Sequence, residues 1–253
     1  MTTSTTRKNK IPFWSVLIWL ILWQILAMCL KSDILLVSPV KTVICLAGLI
    51  FEPDFWQAIG FTFLRICLGF LSAVIFGIFL GALSYKSKAV RGFLSLPVAV
   101  IKSTPVASFI ILVLIWVPSE NLSVIISFLM TFPIIYTNVY EGLSSMDKKL
   151  LSMAKVFKIP FKGRLRYIYI PEVIPFFIPA CSLALGLSFK SGIAAEIIGL
   201  PRGSIGERLY EAKIYLNTPE LFAWTAVIIV ISILFEKAVM FFINRLLLKI
   251  EGR

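Results

Sequence analysis

The chain has no histidine among its 253 residues. That absence excludes serine–histidine–aspartate and cysteine–histidine catalysis, and any metal site built on imidazole. Charge is scarce: Asp, Glu, Lys and Arg together make 15% of the sequence, against about 25% in soluble domains. Acid is scarcer than base, with 13 carboxylates against 25 cations and a net charge of +12. The four cysteines (Cys29, Cys45, Cys67 and Cys181) all lie in apolar stretches, and none belongs to a C-x-x-C pair. They read as free thiols packed as small hydrophobes. No G-x-x-x-x-G-K-[ST] sequence occurs, so the chain carries no P-loop for nucleotide hydrolysis. With no G-x-S-x-G motif and no paired carboxylates inside an apolar run, an intramembrane enzyme has no support either.

What the chain has instead is apolar length. Hydrophobic residues make 59% of it and the mean hydropathy is +0.94, which describes an integral membrane protein. A hydrocarbon core about 30 Å thick needs roughly 17–25 helical residues. Residues 11–30, 66–85, 122–140 and 173–189 supply such runs, and 221–235 does so by continuing past Glu236 and Lys237 through 243. A weaker run, 93–118, is interrupted by Pro97, Lys102 and Pro105 and is read as one span with a distorted entry. Six spans result. A β-barrel is excluded, because these are continuous apolar runs and not alternating ten-residue strands. Leu26-Ala27-Met28-Cys29 has the outline of a lipoprotein cleavage box, but Met28 is too large for it, so the first run reads as an uncleaved span.

The basic residues set the expected orientation. With the N-terminus inside, sixteen of the 25 Lys and Arg fall in cytosolic segments, five in external ones, and four in or at the ends of spans. Both termini are then cytoplasmic. Charge spread between apolar runs points to membrane topology and away from nucleic acid.

The longest internal segment is 141–167. Within it, 148–159 reads as a helix, with Leu150, Met153, Ala154 and Phe157 at i, i+3, i+4, i+7 on one apolar face. Lys148, Lys149, Lys155 and Lys158 surround that face, and Pro160 and Gly163 stop the helix. Such a helix either lies on anionic lipid or fits a groove on a cytosolic partner. Among polar residues in the spans, Arg65 and Lys190 sit where they can snorkel. Lys102 sits beside Ser103, Thr104 and Pro105, where backbone groups are freed from the helix; it either faces a solute path or anchors at the interface. Ser182 and Ser188 accompany Pro175, Pro179 and Gly186 in the fifth run. They read as tight packing or as a pathway helix. Glu196 opens the external segment 191–220 and reads as a solvated loop carboxylate.

Residues 152–171 resemble the signature loop of permeases of binding-protein-dependent bacterial ABC importers: E-A-A, three residues, G, nine residues, I-x-L-P. Pro171 closes the motif, Ile170 takes the Leu position, Ile168 the Ile position and Ala154 the second Ala. Ser152, Met153 and Lys158 stand where Glu, the first Ala and Gly are usual. Lys102-Ser103-Thr104-Pro105-Val106-Ala107 is similar to that family's basic-x-x-P-x-x-A stretch. Pro133, Gly142 and Asp147 also sit at family-like places. Ala194-Ala195-Glu196-Ile197-Ile198-Gly199, followed by Gly203-Ser204-Ile205-Gly206, resembles its nitrate/sulfonate/taurine branch.

The resemblance implies an all-α membrane protein of about six transmembrane helices in the type I ABC importer permease fold. Residues 1–54 would hold a cytosolic tail, the first span and an external segment. Residues 55–248 would form the permease core, with a coupling helix near 148–160, and 249–253 a cytosolic tail. The implied partners are a second permease copy, cytosolic ABC ATPase subunits, an extracytoplasmic solute-binding protein and the bilayer of a bacterial cell membrane. The chain itself would hold no cofactor; ATP would be used by the ATPase. Leu150, Ser152, Met153, Ala154, Phe157, Lys158, Gly163, Ile168 and Pro171 would form the coupling element. Lys102, Ser103, Thr104, Pro105, Ser182, Ser188 and Glu196 are the candidates for pathway or gate. The implied cargo is a small anionic or sulfonate-like solute, or a vitamin precursor. The rival reading, an ion-coupled secondary transporter, should show repeated halves and several mid-span carboxylates, and this sequence has neither.

Overall fold

The computed structural model describes residues 12–251 apart from 31 and 33. Arg7, Lys8, Lys10, Lys31 and Arg253, which enter the orientation argument, lie outside the described residues. Every regular element among those described is helical: α1 (Phe13–Leu30), α2 (Pro39–Leu49), α3 (Pro53–Lys86), α4 (Lys88–Ser103), α5 (Val106–Leu114), α6 (Ser119–Ser144), α7 (Lys148–Val156), α8 (Phe161–Arg164), a π-turn (Leu165–Tyr169), α9 (Ile170–Gly199), α10 (Ile205–Ile214) and α11 (Thr218–Glu251). Their starts are written locally. Pro39 and Pro53 open α2 and α3, where a missing N–H costs nothing. Ser38, Ser87, Asp147 and Ser204 each turn a side-chain oxygen onto a free backbone N–H at the head of a helix.

Four helical stretches are long and apolar enough to cross a bilayer: Pro53–Lys86, Ser119–Ser144, Phe161–Gly199 and Thr218–Ile243. The shorter α1 has no charged residue among its 18 and only Ser15 and Gln24 as polar ones. The run expected to be one span over 93–118 is instead two helices, α4 and α5, meeting at 107°. Pro105 is the cause. Its ring disfavours the helical region for the residue before it, and Thr104 is extended at φ −84°, ψ 132°. Pro97, by contrast, sits inside α4 without ending it. The fifth span is also longer than expected. The helix runs on through Ser191 to Gly199, so most of the expected external loop 191–220 is helix, either the end of α9 or α10.

Three helices, α3, α6 and α9, form the centre. Gly69, Ala73, Gly77 and Gly81 recur every fourth residue on α3, and all are buried. A Cβ on Gly69 would lie 2.4 Å from the Val124 carbonyl oxygen, and one on Gly77 would lie 2.8 Å from the Ile135 side chain. This stripe lets the α3 and α6 backbones touch. On the opposite side, a Cβ on Gly192 of α9 would meet Ile66 at 2.7 Å and Ser127 Oγ at 2.8 Å. Ser127 therefore stands where all three helices converge, and its hydroxyl donates to the Ser188 carbonyl across 3.1 Å. The aromatic ring of Phe235 keys α11 onto this centre, edge-on to Phe63 at 5.2 Å and to Phe70 at 6.0 Å.

The close approach makes a sharp contrast between two glycines of one helix. Gly69→Ala forces a methyl into the α6 backbone and should cost about 1–3 kcal/mol. Gly60→Ala, with nothing within 4 Å, should be neutral or stabilise by about 0.5–1 kcal/mol through helix propensity. Thermal midpoints of the detergent-purified chain measure both. Equal midpoints for the two variants would contradict the packing described here.

Candidate coupling element and polar sites of the spans

α7 is shorter than its expected span. Asp147 caps it, with its carboxylate accepting the Lys149 N–H at 2.8 Å, where a negative charge also suits the helix end. The helix closes at Val156, before Pro160. Lys158 takes the left-handed conformation at φ 50°. Its N–H bonds the Lys155 carbonyl and the next N–H, of Ile159, bonds the Ala154 carbonyl, both at 3.0 Å. That pair of bonds around a left-handed residue is the Schellman termination, whose left-handed position is usually glycine. Lys158, which stands where the signature motif has glycine, thus takes a backbone conformation that glycine favours.

Pro160 and Gly163, expected to stop the helix, have other roles. Pro160 is the N-cap of α8 and Gly163 lies inside α8, where a Cβ would stand 3.0 Å from the Ile159 side chain. The chain then passes without a break through the π-turn into α9. The Ile170 N–H reaches back five residues to the Leu165 carbonyl. Pro171 explains the widened turn: it has no N–H to offer Tyr167, and its ring would strike that carbonyl in an ordinary α-turn. In this chain the Ile168–Pro171 end of the motif therefore coincides with a local change of helical pitch.

The apolar face of α7 is divided. Leu150, Met153, Val156 and Phe157 point outward, with Val156 78% and Phe157 71% exposed, whereas Ala154 is buried. Ala154 lies on the edge of the expected stripe nearest Leu151, and Leu151 packs into the cluster formed by Met146, Leu143, Ile168 and Tyr169. The expected grouping of Ala154 with Leu150, Met153 and Phe157 on one face is corrected accordingly: Ala154 seats the helix, and Val156, not singled out from the sequence, joins the outward face. Ser152 and Pro171 are exposed and Ile168 half-buried.

The pathway candidates do not form one site. Lys102, Ser103, Thr104 and Pro105 sit at the α4–α5 break. Lys102 Nζ donates to Thr137 Oγ1 of α6 at 2.8 Å. The Ser103 and Thr104 hydroxyls both donate to the Val100 carbonyl, at 3.2 and 2.7 Å, and so take up an acceptor at the helix end. Ser182 donates to Glu236 Oε1 of α11 at 2.5 Å. Ser188 is buried and bonds the Leu185 carbonyl. Arg65 does not simply snorkel: its Nε donates to the Glu120 carbonyl and its guanidinium lies over the Phe61 ring.

Glu196 is fully buried, which overturns its reading as a solvated loop carboxylate. Its Oε2 accepts from Thr62 Oγ1 of α3 at 2.7 Å and from the Gly206 N–H of α10 at 3.3 Å. Thr62 Oγ1 in turn accepts the Ile205 N–H at 3.0 Å. A Cβ on Gly206 would fall 2.3 Å from that of Glu196, so only glycine lets α10 approach this closely. Ser123 of α6 faces the same carboxylate. Four helices therefore meet at one carboxylate, placed at the head of α10 where free N–H groups favour an anion. Thr62 carried no sequence signal; Gly206 was visible only within the Gly203–Gly206 resemblance. Among the described residues, no cluster of His, Cys, Asp or Glu could hold a metal ion.

The left-handed position yields a test. Lys158→Gly removes the Cβ strain and should raise the thermal midpoint, by relief of about 1–2 kcal/mol. Lys158→Val, β-branched at positive φ, should lower it. A lower midpoint for the glycine variant would refute this helix ending.

Comparison with known proteins agrees with this architecture. The chain is 23% identical over 228 residues to a Bacillus subtilis protein with the provisional name aliphatic sulfonates transport permease protein SsuC, covering 89% of this chain and 82% of that protein. It is 25% identical over 220 residues to the Escherichia coli taurine transport system permease protein TauC, covering 85% and 80%. It is 25% identical over 206 residues to the Synechococcus elongatus nitrate import permease protein NrtB, covering 77% and 73%. Residues 73–250 match the family described as binding-protein-dependent transport system inner membrane component. An all-helical membrane protein, with a bent α4–α5 pair and a short helix carried on a π-turn, thus belongs to the permeases of binding-protein-dependent ABC importers.

Proposed function

We propose that this permease forms the membrane path of an ATP-driven importer of a small anionic solute of the sulfonate, taurine or nitrate type, and that α7 is the handle by which a cytosolic ATPase works it. The observation that carries the reading is the outward face of α7. Four apolar side chains stand exposed beside Lys149, Lys155 and Lys158, while Leu151 and Ala154 seat the same helix on the body. Exposed apolar surface of this kind is stabilised on covering by about 25 cal/mol per Å², and an apolar helix face in a groove is a recurrent docking mode. The lever needs an unbroken connection to the spans. α8, the π-turn and α9 supply it as one helical stretch, Phe161–Gly199.

The basic bias of segments 86–91, 148–166 and 245–249 supports placing α7 and both termini in the cytosol. α10 and α2 then lie outside, where a solute-binding protein would dock. A second copy of the chain completes the path. Lys102 is the residue with which we associate the solute's charge: it lies at the α4–α5 break and is exposed in a single copy. Its ammonium is oriented by Thr137, whose hydroxyl donates to the Pro133 carbonyl at 2.6 Å.

Phe157→Ala should weaken binding of the ATPase by about 2 kcal/mol, roughly thirtyfold in affinity. Copurification from membranes measures this, and a Ser152→Cys variant with the four native cysteines changed to alanine should react with impermeant thiol reagents only from the cytosolic side. Labelling from outside, or uptake that survives ATP depletion and collapses with an uncoupler, would sink the reading. Lys102→Ala should lower uptake of the anionic solute on the order of tenfold, the loss of one charged hydrogen bond, with ATPase copurification unchanged. Undiminished uptake would remove Lys102 from the path.

A further inference from the structure

A cavity of about 330 Å³ opens among the cytosolic ends of α3, α6, α9 and α11. Ile78, Ala82, Leu143, Leu165, Ile178 and Ile243 are among its walls, and every lining side chain except Tyr169 is purely hydrocarbon. Water would find almost no partner there, so it is not a solute or ion site. Its shape is a groove. From Leu165 to Ile178 it follows α9 for about 20 Å at 1.5 Å per residue, somewhat more than half of a hydrocarbon core about 30 Å thick.

One end of the groove is basic. Leu165 is flanked by Arg164 and Arg166, Lys86 stands one turn beyond Ala82 on α3, and Arg245 follows Ile243 on α11. Lys86 Nζ lies 5.9 Å above the Phe161 ring, which holds the end of α3 against α8 at this rim. The Arg164 Nε is buried without a hydrogen-bond partner, an expensive state for a guanidinium. An apolar groove of leaflet length ending in a cationic rim with one unmet donor matches one ligand chemistry, that of an acyl chain joined to a phosphate.

We propose that this groove binds an anionic phospholipid of the inner leaflet, one acyl chain lying along α9 and the phosphate meeting Arg164. Basic pockets between transmembrane helices bind anionic headgroups in this way. The site adjoins the π-turn that joins α7 to α9, so the lipid braces the joint of the proposed lever. The placement in the inner leaflet rests on the orientation proposed above; the groove and its rim do not.

The test is native mass spectrometry of the complex purified from membranes and loaded with phosphatidylglycerol or phosphatidylcholine. The wild-type permease should retain phosphatidylglycerol in preference. Arg164→Gln should retain it about fivefold less, the worth of one cation at the headgroup level. Ile174→Trp, which fills the groove without touching the rim, should release both lipids while the ATPase still copurifies. Adduct mass separates a diacyl lipid from a free fatty acid or detergent, and retention of only the latter would overturn the proposal. So would equal retention of the two lipids, or undiminished phosphatidylglycerol in either variant. A changed number of permease copies in Ile174→Trp would assign the groove to a second chain instead. Loss of the ATPase from the wild-type preparation would count against the proposed function alone, because lipid retention is read on the permease itself.

Discussion

The structure depends on three backbones being allowed to touch. Gly69 of α3 and Gly192 of α9 leave the space that Ser127 of α6 occupies, and the Ser127 hydroxyl spends its hydrogen on a carbonyl of α9. In lipid there is little hydrophobic drive between helices, because the tails are as apolar as leucine. Close packing and satisfied polar groups carry the association instead. Among the described residues, six of the seven best-buried polar side chains (Thr62, Ser123, Ser127, Thr131, Ser188 and Glu196) accordingly lie on these three helices, and the seventh, Ser204, is the N-cap of α10. The more peripheral α1 and α11 bear large exposed apolar side chains, such as Trp19, Leu26, Leu234 and Phe242.

Much of this was legible in the sequence. Continuous apolar runs locate the long helices, because a bilayer fixes their minimum length. The signature-like loop locates α7, because its apolar residues keep helical spacing and Asp147 marks its start. The bend at Thr104 was half-legible: Pro105 announces a break, but a hydropathy run cannot say whether a chain passes through it or turns by 107°. The length of α9 was missed for a related reason. Residues 190–199 include Lys190, Ser191 and Glu196, which read as a boundary. In the fold Ser191 and Glu196 are buried among other helices while Lys190 reaches outward. Thr62 could not be found at all, since its importance comes from a partner 134 positions away.

The departures from the family motif are instructive because they separate chemistry from geometry. At Lys158 the side chain differs from the usual Gly, yet the residue takes the left-handed conformation that glycine adopts most readily, and α7 ends at Val156. At Ala154 the residue is kept because the helix is seated on it, with 1% of its surface exposed. At Pro171 the missing N–H widens the turn that follows α8. Where Ser152 replaces the usual Glu, the position is exposed, so the change alters what a neighbour would meet there.

The carboxylate of Glu196 binds α10 to α3 and α9 through backbone donors and a threonine hydroxyl, with no room for slippage at Gly206. The opposite end of α9 has no comparable knot: it enters through a widened turn beside a hollow. Stiffness along this one helix is therefore graded, clamped at one extremity and compliant at the other. A push delivered near the compliant end would be absorbed first as rotation there. Only after that slack is taken up would it reach the clamp, so the two faces of the protein would respond in sequence and not together.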